Sequence, residues 1–217
     1  MRARYCAIIF SSLIMGCFSA PAFAACTGTP TYQDQFKSFD PSWGSPSAIL
    51  SVQNGAFYIK PNPGYSNYVL SQSNFYGDGS ICVSTLITQA SDPDNATVGV
   101  LFWGVDYNNL YALWVGSYKG QGGFTVQRES SGRWLTPVAW RSDTVIKPGL
   151  GDANQVEVDM KGGTATVSIN GKELVTFNGT PPNGGGLIGI AGSSGAGVTA
   201  TYAFQNFQFF ASPAAGP

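Results

Sequence analysis

Along the chain, apolar residues recur at alternate positions in short runs, and Gly, Asn, Asp, Ser and Pro clusters separate the runs. The candidate strands are AILSVQN, AFYIKP, NYVLSQ, SICVSTLIT, TVGVLFWG, LYALWVG, GFTVQRE, RWLTPVAW, QVEVDMK, TATVSIN, ELVTFN, LIGIAG and TYAFQNFQFF. No segment longer than a few turns has helical periodicity. So many short strands around one core predict an all-β, two-sheet sandwich. Asn170-Gly171 is a type I′ hairpin signal, and KGG and SSG mark further turns. In the last strand the apolar alternation runs Tyr202, Phe204, then Phe207, Phe209. The slip of one at Gln205-Asn206 predicts a β-bulge or a change of strand partner.

The stretch GVLFWGVDYNNLYALWVGS is the most aromatic hairpin candidate, closed by the loop that contains Tyr107. Pairing Trp103 with Leu110, Leu101 with Ala112 and Gly99 with Trp114 puts both tryptophans on one face. Val98, Val100, Phe102, Tyr111, Leu113 and Val115 then form the other face, which has the aliphatic density of a core. A sheet in a two-layer sandwich buries one face, so the tryptophan face is open to a ligand or is covered by a loop or extra strand. If Phe124 and Val126 continue the core face, Thr125 and Gln127 fall beside Trp114. Trp103, Tyr107, Trp114 and Gln127 are therefore the candidate ligand-binding residues. Flat rings beside short polar side chains suit sugars, whose C–H face stacks while hydroxyls bond amides and alcohols.

The N-terminus changes the compartment. Two arginines, an apolar run and the small-residue pattern Ala22-Phe23-Ala24 read as a signal peptide over residues 1–24, cut before Ala25. The run is broken by Ser11, Ser12, Gly16, Ser19 and Pro21, which disfavours a transmembrane helix, and no second long apolar segment comes after it. One domain over residues 25–211 and a frayed tail over 212–217 are expected, with the mature protein periplasmic or secreted. Losing Arg2 and Arg4 takes eleven basic residues to nine against twelve acidic ones, a net charge of about −3. No basic footprint for nucleic acid remains. Cys26 and Cys82 survive the cut, and an oxidising compartment favours a disulfide between them.

Catalytic chemistry is limited by composition. The chain has no histidine, which removes Ser-His-Asp and Cys-His catalysis and histidine metal sites. Glu157 and Asp159 share a face of QVEVDMK, but Met160-Lys161 stands where a retaining glucanase strand needs its second glutamate. With Thr164, Thr166 and Ser168 on the next strand, the pair reads as a solvated face. Asp92, Asp94 and Asn95 form an oxygen-rich loop that calcium can use, although such residues also cap turns. No other cofactor is indicated.

Several pieces together, among them YQDQF, GVLFWGVDYNNLYALWV, GRW, NQVEVDMKGGTATVSINGKEL, GGGLIGIAG and FQNFQFF, resemble bacterial laminin-G-like, concanavalin A-like jelly-roll domains. Relatives of these domains include 3-keto-disaccharide hydrolase-type domains. The resemblance spans roughly Tyr32 to Phe210 and implies a two-sheet antiparallel jelly roll of the lectin/glucanase type. It also implies a binding module for carbohydrate or a cell-envelope component. The alternatives are a glycoside hydrolase or lyase and a structural protein-interaction domain.

Overall fold

The computed structural model describes residues 26–212. The leader expected over residues 1–24, and all of the expected tail beyond Ser212, lie outside the described residues.

Among the described residues, fourteen strands form two antiparallel sheets. The larger contains β1 (Tyr32–Asp34), β2 (Leu50–Gln53), β3 (Ala56–Ile59), β5 (Gly79–Ala90), β10 (Asn154–Lys161), β11 (Thr164–Ile169), β12 (Lys172–Asn178) and β14 (Ala200–Ala211). The smaller runs in the order β4 (Ser66–Leu70), β13 (Leu187–Ser194), β6 (Ala96–Asp106), β7 (Asn109–Tyr118), β8 (Gln121–Ser130), β9 (Arg133–Ser142). This is the expected jelly-roll sandwich. Every candidate strand is present, and β1 is the one that the alternation left unmarked.

The core lies between the sheets and takes one residue in two from each inner strand. Val156, Val158 and Met160 of β10 meet Val98, Val100 and Phe102 of β6 there, with Phe124 and Val126 of β8. Asn170 and Gly171 both have positive φ, 52° and 81°, as the type I′ turn between β11 and β12 requires. On β14 the pairing shifts between Gln205 and Gln208, with Asn206 at φ 50°. β3 pairs with Tyr202–Phe204 and β1 with Asp34 to Tyr32 against Phe207 to Phe209, so the bulge is where the strand changes partner. The extra residue keeps Tyr202, Phe204, Phe207 and Phe209 all in the core.

Cys26 and Cys82 form the expected disulfide, with Cα atoms 6.4 Å apart. It overturns the solvated reading of Glu157. Glu157 pairs with Cys82 across β10 and β5, and the Cys26 and Cys82 sulfurs and the Glu157 carboxylate lie within 4.8 Å of one another. Glu157 is consequently buried, only 4% exposed, whereas Asp159, two residues on, is partly exposed and accepts a 2.6 Å hydrogen bond from Ser80 Oγ. Sequence spacing placed Glu157 on the outer face but could not show that the N-terminal segment folds over it. Opening this bridge by a Cys26→Ser, Cys82→Ser double substitution is expected to cost about 2 to 4 kcal/mol. Intact-mass analysis after alkylation without reductant checks the bond itself: no thiol should be modified, and two modified thiols in native protein would contradict it.

Candidate functional site

The hairpin of β6 and β7 holds most of the expected register: Gly99 pairs with Trp114, Leu101 with Ala112 and Phe102 with Tyr111. Beyond Phe102 the ladder breaks. Gly104 pairs with Leu187 while Leu101 pairs with Gly189, so β6 carries one extra residue against β13, and Trp103 sits there at φ 49°. A bulge of one residue reverses the facing of the residues beyond it. Trp103 therefore joins the main core, its ring 5.2 Å from Tyr111 and 5.4 Å from Phe102. The two tryptophans do not share a face, which corrects the expectation of a paired platform. The alternation of residues could not reveal this, because a bulge leaves composition unchanged.

Trp114 does stand on the outer face of the smaller sheet, in a separate apolar cluster with Leu70, Leu101, Leu110, Ala112, Leu187 and Ala191. It is nonetheless only 4% exposed. Its ring packs over Gly99, where an added Cβ would meet ring carbons at 2.7 and 2.8 Å, so Gly99 sets the depth at which the ring lies. Other rings then rise beside it. Tyr68 of β4 meets Trp114 edge to face at 5.9 Å and stacks on Trp134 of β9 at 6.1 Å.

The contact between Tyr68 and Trp134 defines the shape of this face. β4 and β9 are the two edge strands of the sheet, five strand steps apart. On a flat sheet that separation is about 24 Å. Two side chains meeting across it require a strongly curved sheet, and the register shifts of β9 against β8 at Val126 accompany that curvature. The outer face is thus the concave one, bridged from edge to edge by an aromatic pair.

Beside this pair is a recess of about 350 Å³. Its walls carry Tyr68, Trp114, Trp134 and Trp140, the last held flat against Tyr118 at 5.6 Å with the planes 9° apart. Its polar groups are Ser66, Ser193, Thr97, Thr125 and Gln127, and none of the lining side chains is charged. Ser66 donates to Ser193 Oγ at 2.7 Å and Thr125 to the Val138 carbonyl at 2.7 Å, which fixes those hydroxyls. All six strands contribute to the lining. Burial pushes the Tyr68 phenol up from its ordinary value, with a hydrogen bond shared with Ser66 opposing the effect and the Glu129 charge adding to it, so it stays a neutral hydroxyl. Such a recess offers ring faces for stacking and neutral donors and acceptors for orientation.

Of the four sequence candidates, the structure brings Trp114 and Gln127 together in this recess. Tyr107 stands 52% exposed at the hairpin tip and outside it. Tyr68, Trp134 and Trp140 were missed: their strands were recognised, but nothing local to β4 or β9 says that sheet curvature makes these edges neighbours. Glu157 and Asp159 lie on β10 in the other sheet, away from the recess.

The loop acids are committed to local structure. Asp92 caps the turn at Pro93–Asn95, accepting from Asp94 N at 3.1 Å and Asn95 Nδ2 at 2.7 Å. Asp94 accepts from Ser117 Oγ and from Gly120 N, and these hydrogen bonds hold its carboxyl below the usual range. A larger recess, about 500 Å³, lies at the end of the other sheet near Lys60, Thr88, Leu150 and Thr199, and no aromatic ring lines it.

No family model matches the chain, and none of the curated proteins does either. The likeness to laminin-G-like and 3-keto-disaccharide hydrolase-type domains accordingly rests on the sequence motifs alone. Solved structures do match in fold. A carbohydrate-binding module, CBM66, from Bacillus subtilis is 14% identical, with a TM-score of 0.56 over 71% of this chain and 86% of the module. The β-glucanase of Bacillus licheniformis is 12% identical, with a TM-score of 0.61 over 86% of this chain and all of the enzyme. A structure described with endo-acting O-glycanases of human gut bacteria is 10% identical, with a TM-score of 0.62 over 85% of this chain and 100% of that chain. At these identities the likeness establishes the fold: a concanavalin A-like jelly roll of the kind found in carbohydrate-binding and glycosidase domains.

Proposed function

We propose that this chain is an exported, non-catalytic module that binds carbohydrate, free or on a cell-envelope component, in the bridged recess on the concave sheet. One observation carries the reading: four aromatic rings and five neutral hydrogen-bonding side chains, drawn from every strand of that sheet, converge on one uncharged recess. The company the fold keeps supports it, since a carbohydrate-binding module and glycosidases share the architecture. A disulfide and an N-terminal leader sequence fit an exported protein, and among the described residues no helix is long and apolar enough to cross a membrane.

A glycan array probed with the mature domain tests the proposal, with subsequent titration of retained glycans under tryptophan fluorescence. Neutral β-gluco- and xylo-oligosaccharides are sensible first probes, because a β-glucanase has this fold and a xylan β-1,4-xylosidase carries it over 40% of its chain. Saturable binding that alters the emission is expected. Retention of no glycan at all would remove the proposal. Binding is also expected to survive chelation by EDTA, because the recess contains no carboxylate, Asp92 is engaged within its own turn and Asp94 is engaged with Ser117 and Gly120. An affinity lost in EDTA and restored by calcium would give the Asp92–Asn95 loop the metal role its composition suggests.

A further inference from the structure

We propose that the binding groove continues along β8 into a second subsite at the rim of the sandwich, so that the ligand is a neutral oligosaccharide rather than a single sugar. The inference rests on the carbohydrate reading of the aromatic recess. Thr125, Gln127 and Glu129 are alternate residues of β8, opposite Trp114, Ala112 and Leu110 of β7, and therefore share the concave face. Thr125 and Gln127 line the aromatic recess, whereas Glu129 lines an adjoining recess of about 350 Å³ with Leu110, Arg128 and Thr180. From Thr125 to Glu129 the strand advances about 14 Å, longer than one pyranose ring. Trp134, which lines the aromatic recess, pairs across β8 and β9 with Glu129, which lines the rim recess, and is 42% exposed, so a partly open ring stands on the strand step between the two.

The rim recess is equipped differently from the first. The Arg128 guanidinium lies 5.3 Å from the centre of the Tyr111 ring and donates to Thr180 Oγ1 at 3.4 Å. Tyr111 in turn accepts from Thr180 N at 2.9 Å, which anchors the segment that carries the threonine. Among the described residues the one ion pair is Lys172 with Asp143, so neither Arg128 nor Glu129 is neutralised by a partner or by the other. Arg128 stands opposite Tyr111 on the inner-face side of β8 and Glu129 opposite Leu110 on the concave face, so a fixed donor fork and a carboxylate acceptor reach the rim recess from the two sides of the strand, where they match adjacent sugar hydroxyls, which donate and accept at once. A carboxylated or sulfated sugar would meet Glu129 with like charge. Burial, and secondarily the charge of Asp106, push the Glu129 carboxyl up.

Calorimetric titration with β-gluco- and xylo-oligosaccharides of one to six units tests the inference on the wild type, Arg128→Ala, Arg128→Lys and Glu129→Gln. Affinity should rise at least tenfold between the two-unit and five-unit members of the series that binds. Arg128→Ala and Glu129→Gln should remove that increment and leave the two-unit affinity within about twofold, with Arg128→Lys intermediate because it keeps the charge without the fork. Thermal melts establish that each variant is folded. Affinity independent of length, or variants that weaken short and long ligands equally, would overturn the second subsite while leaving the first. Wild type that binds neither series at any length would overturn the second subsite as stated, and if the glycan array is also blank the carbohydrate reading fails with it.

Discussion

Trp114→Ala is expected to lower the unfolding free energy by about 3 to 5 kcal/mol and to abolish detectable glycan binding in the fraction that remains folded. Both effects have one cause. The ring is 4% exposed, packed over Gly99 and against Leu101, Ala112 and Ala191, and its upper edge is the floor of the recess. Truncation leaves a cavity that Gly99 cannot fill, and it drops the floor away from Tyr68. Guanidinium denaturation beside ligand titration checks this. A stability loss below about 1 kcal/mol would mean that the ring is a surface platform rather than a buried floor.

Trp43→Ala is expected to cost about 5 kcal/mol, at the upper end for a tryptophan truncation, and to leave the affinity of folded protein unchanged. Trp43 is 1% exposed and packs against Phe36, Phe57 and Phe207 with ring centres 5.7, 6.0 and 5.1 Å away. Its indole Nε1 also donates to Asp34 Oδ2 at 2.9 Å. Removing the ring combines a core cavity with a partly buried carboxylate that keeps the Phe36 N donor and loses the indole one. Denaturation midpoints and titrations at a temperature where the variant is folded give the two readouts, and a fall in affinity would contradict the assignment of this tryptophan to the core alone.

The contrast between Trp43, Trp103, Trp114 and Trp134 marks how far the sequence could be read. Alternation located the strands and assigned Val98, Val100, Phe102, Tyr111, Leu113, Val115, Phe124 and Val126 to the core, because a period of two is fixed by backbone geometry. It even located the bulge at Gln205-Asn206, where the apolar phase visibly slips. At Trp103 both neighbouring phases were apolar, so the same kind of bulge left no trace in the pattern and the ring was assigned to the wrong face. Glu157 illustrates a second limit: its face was read correctly, while its burial depends on a disulfide-bonded segment arriving from another part of the chain. Tyr68 and Trp134 illustrate a third. They are 66 residues and five strands apart, and only the curvature of the whole sheet makes them touch.

Of the rings in the aromatic bridge, Trp134 is the one that separates binding from folding, because it is 42% exposed on an edge strand. The decisive measurement is the titration of Trp134→Ala against wild type with the glycan that the array retains, accompanied by denaturation of both. Affinity is expected to fall about threefold to tenfold, the worth of a stacked ring beyond its area, with stability changed by less than about 1 kcal/mol. Unchanged affinity in a folded Trp134→Ala protein would contradict a ligand seated beside the bridge.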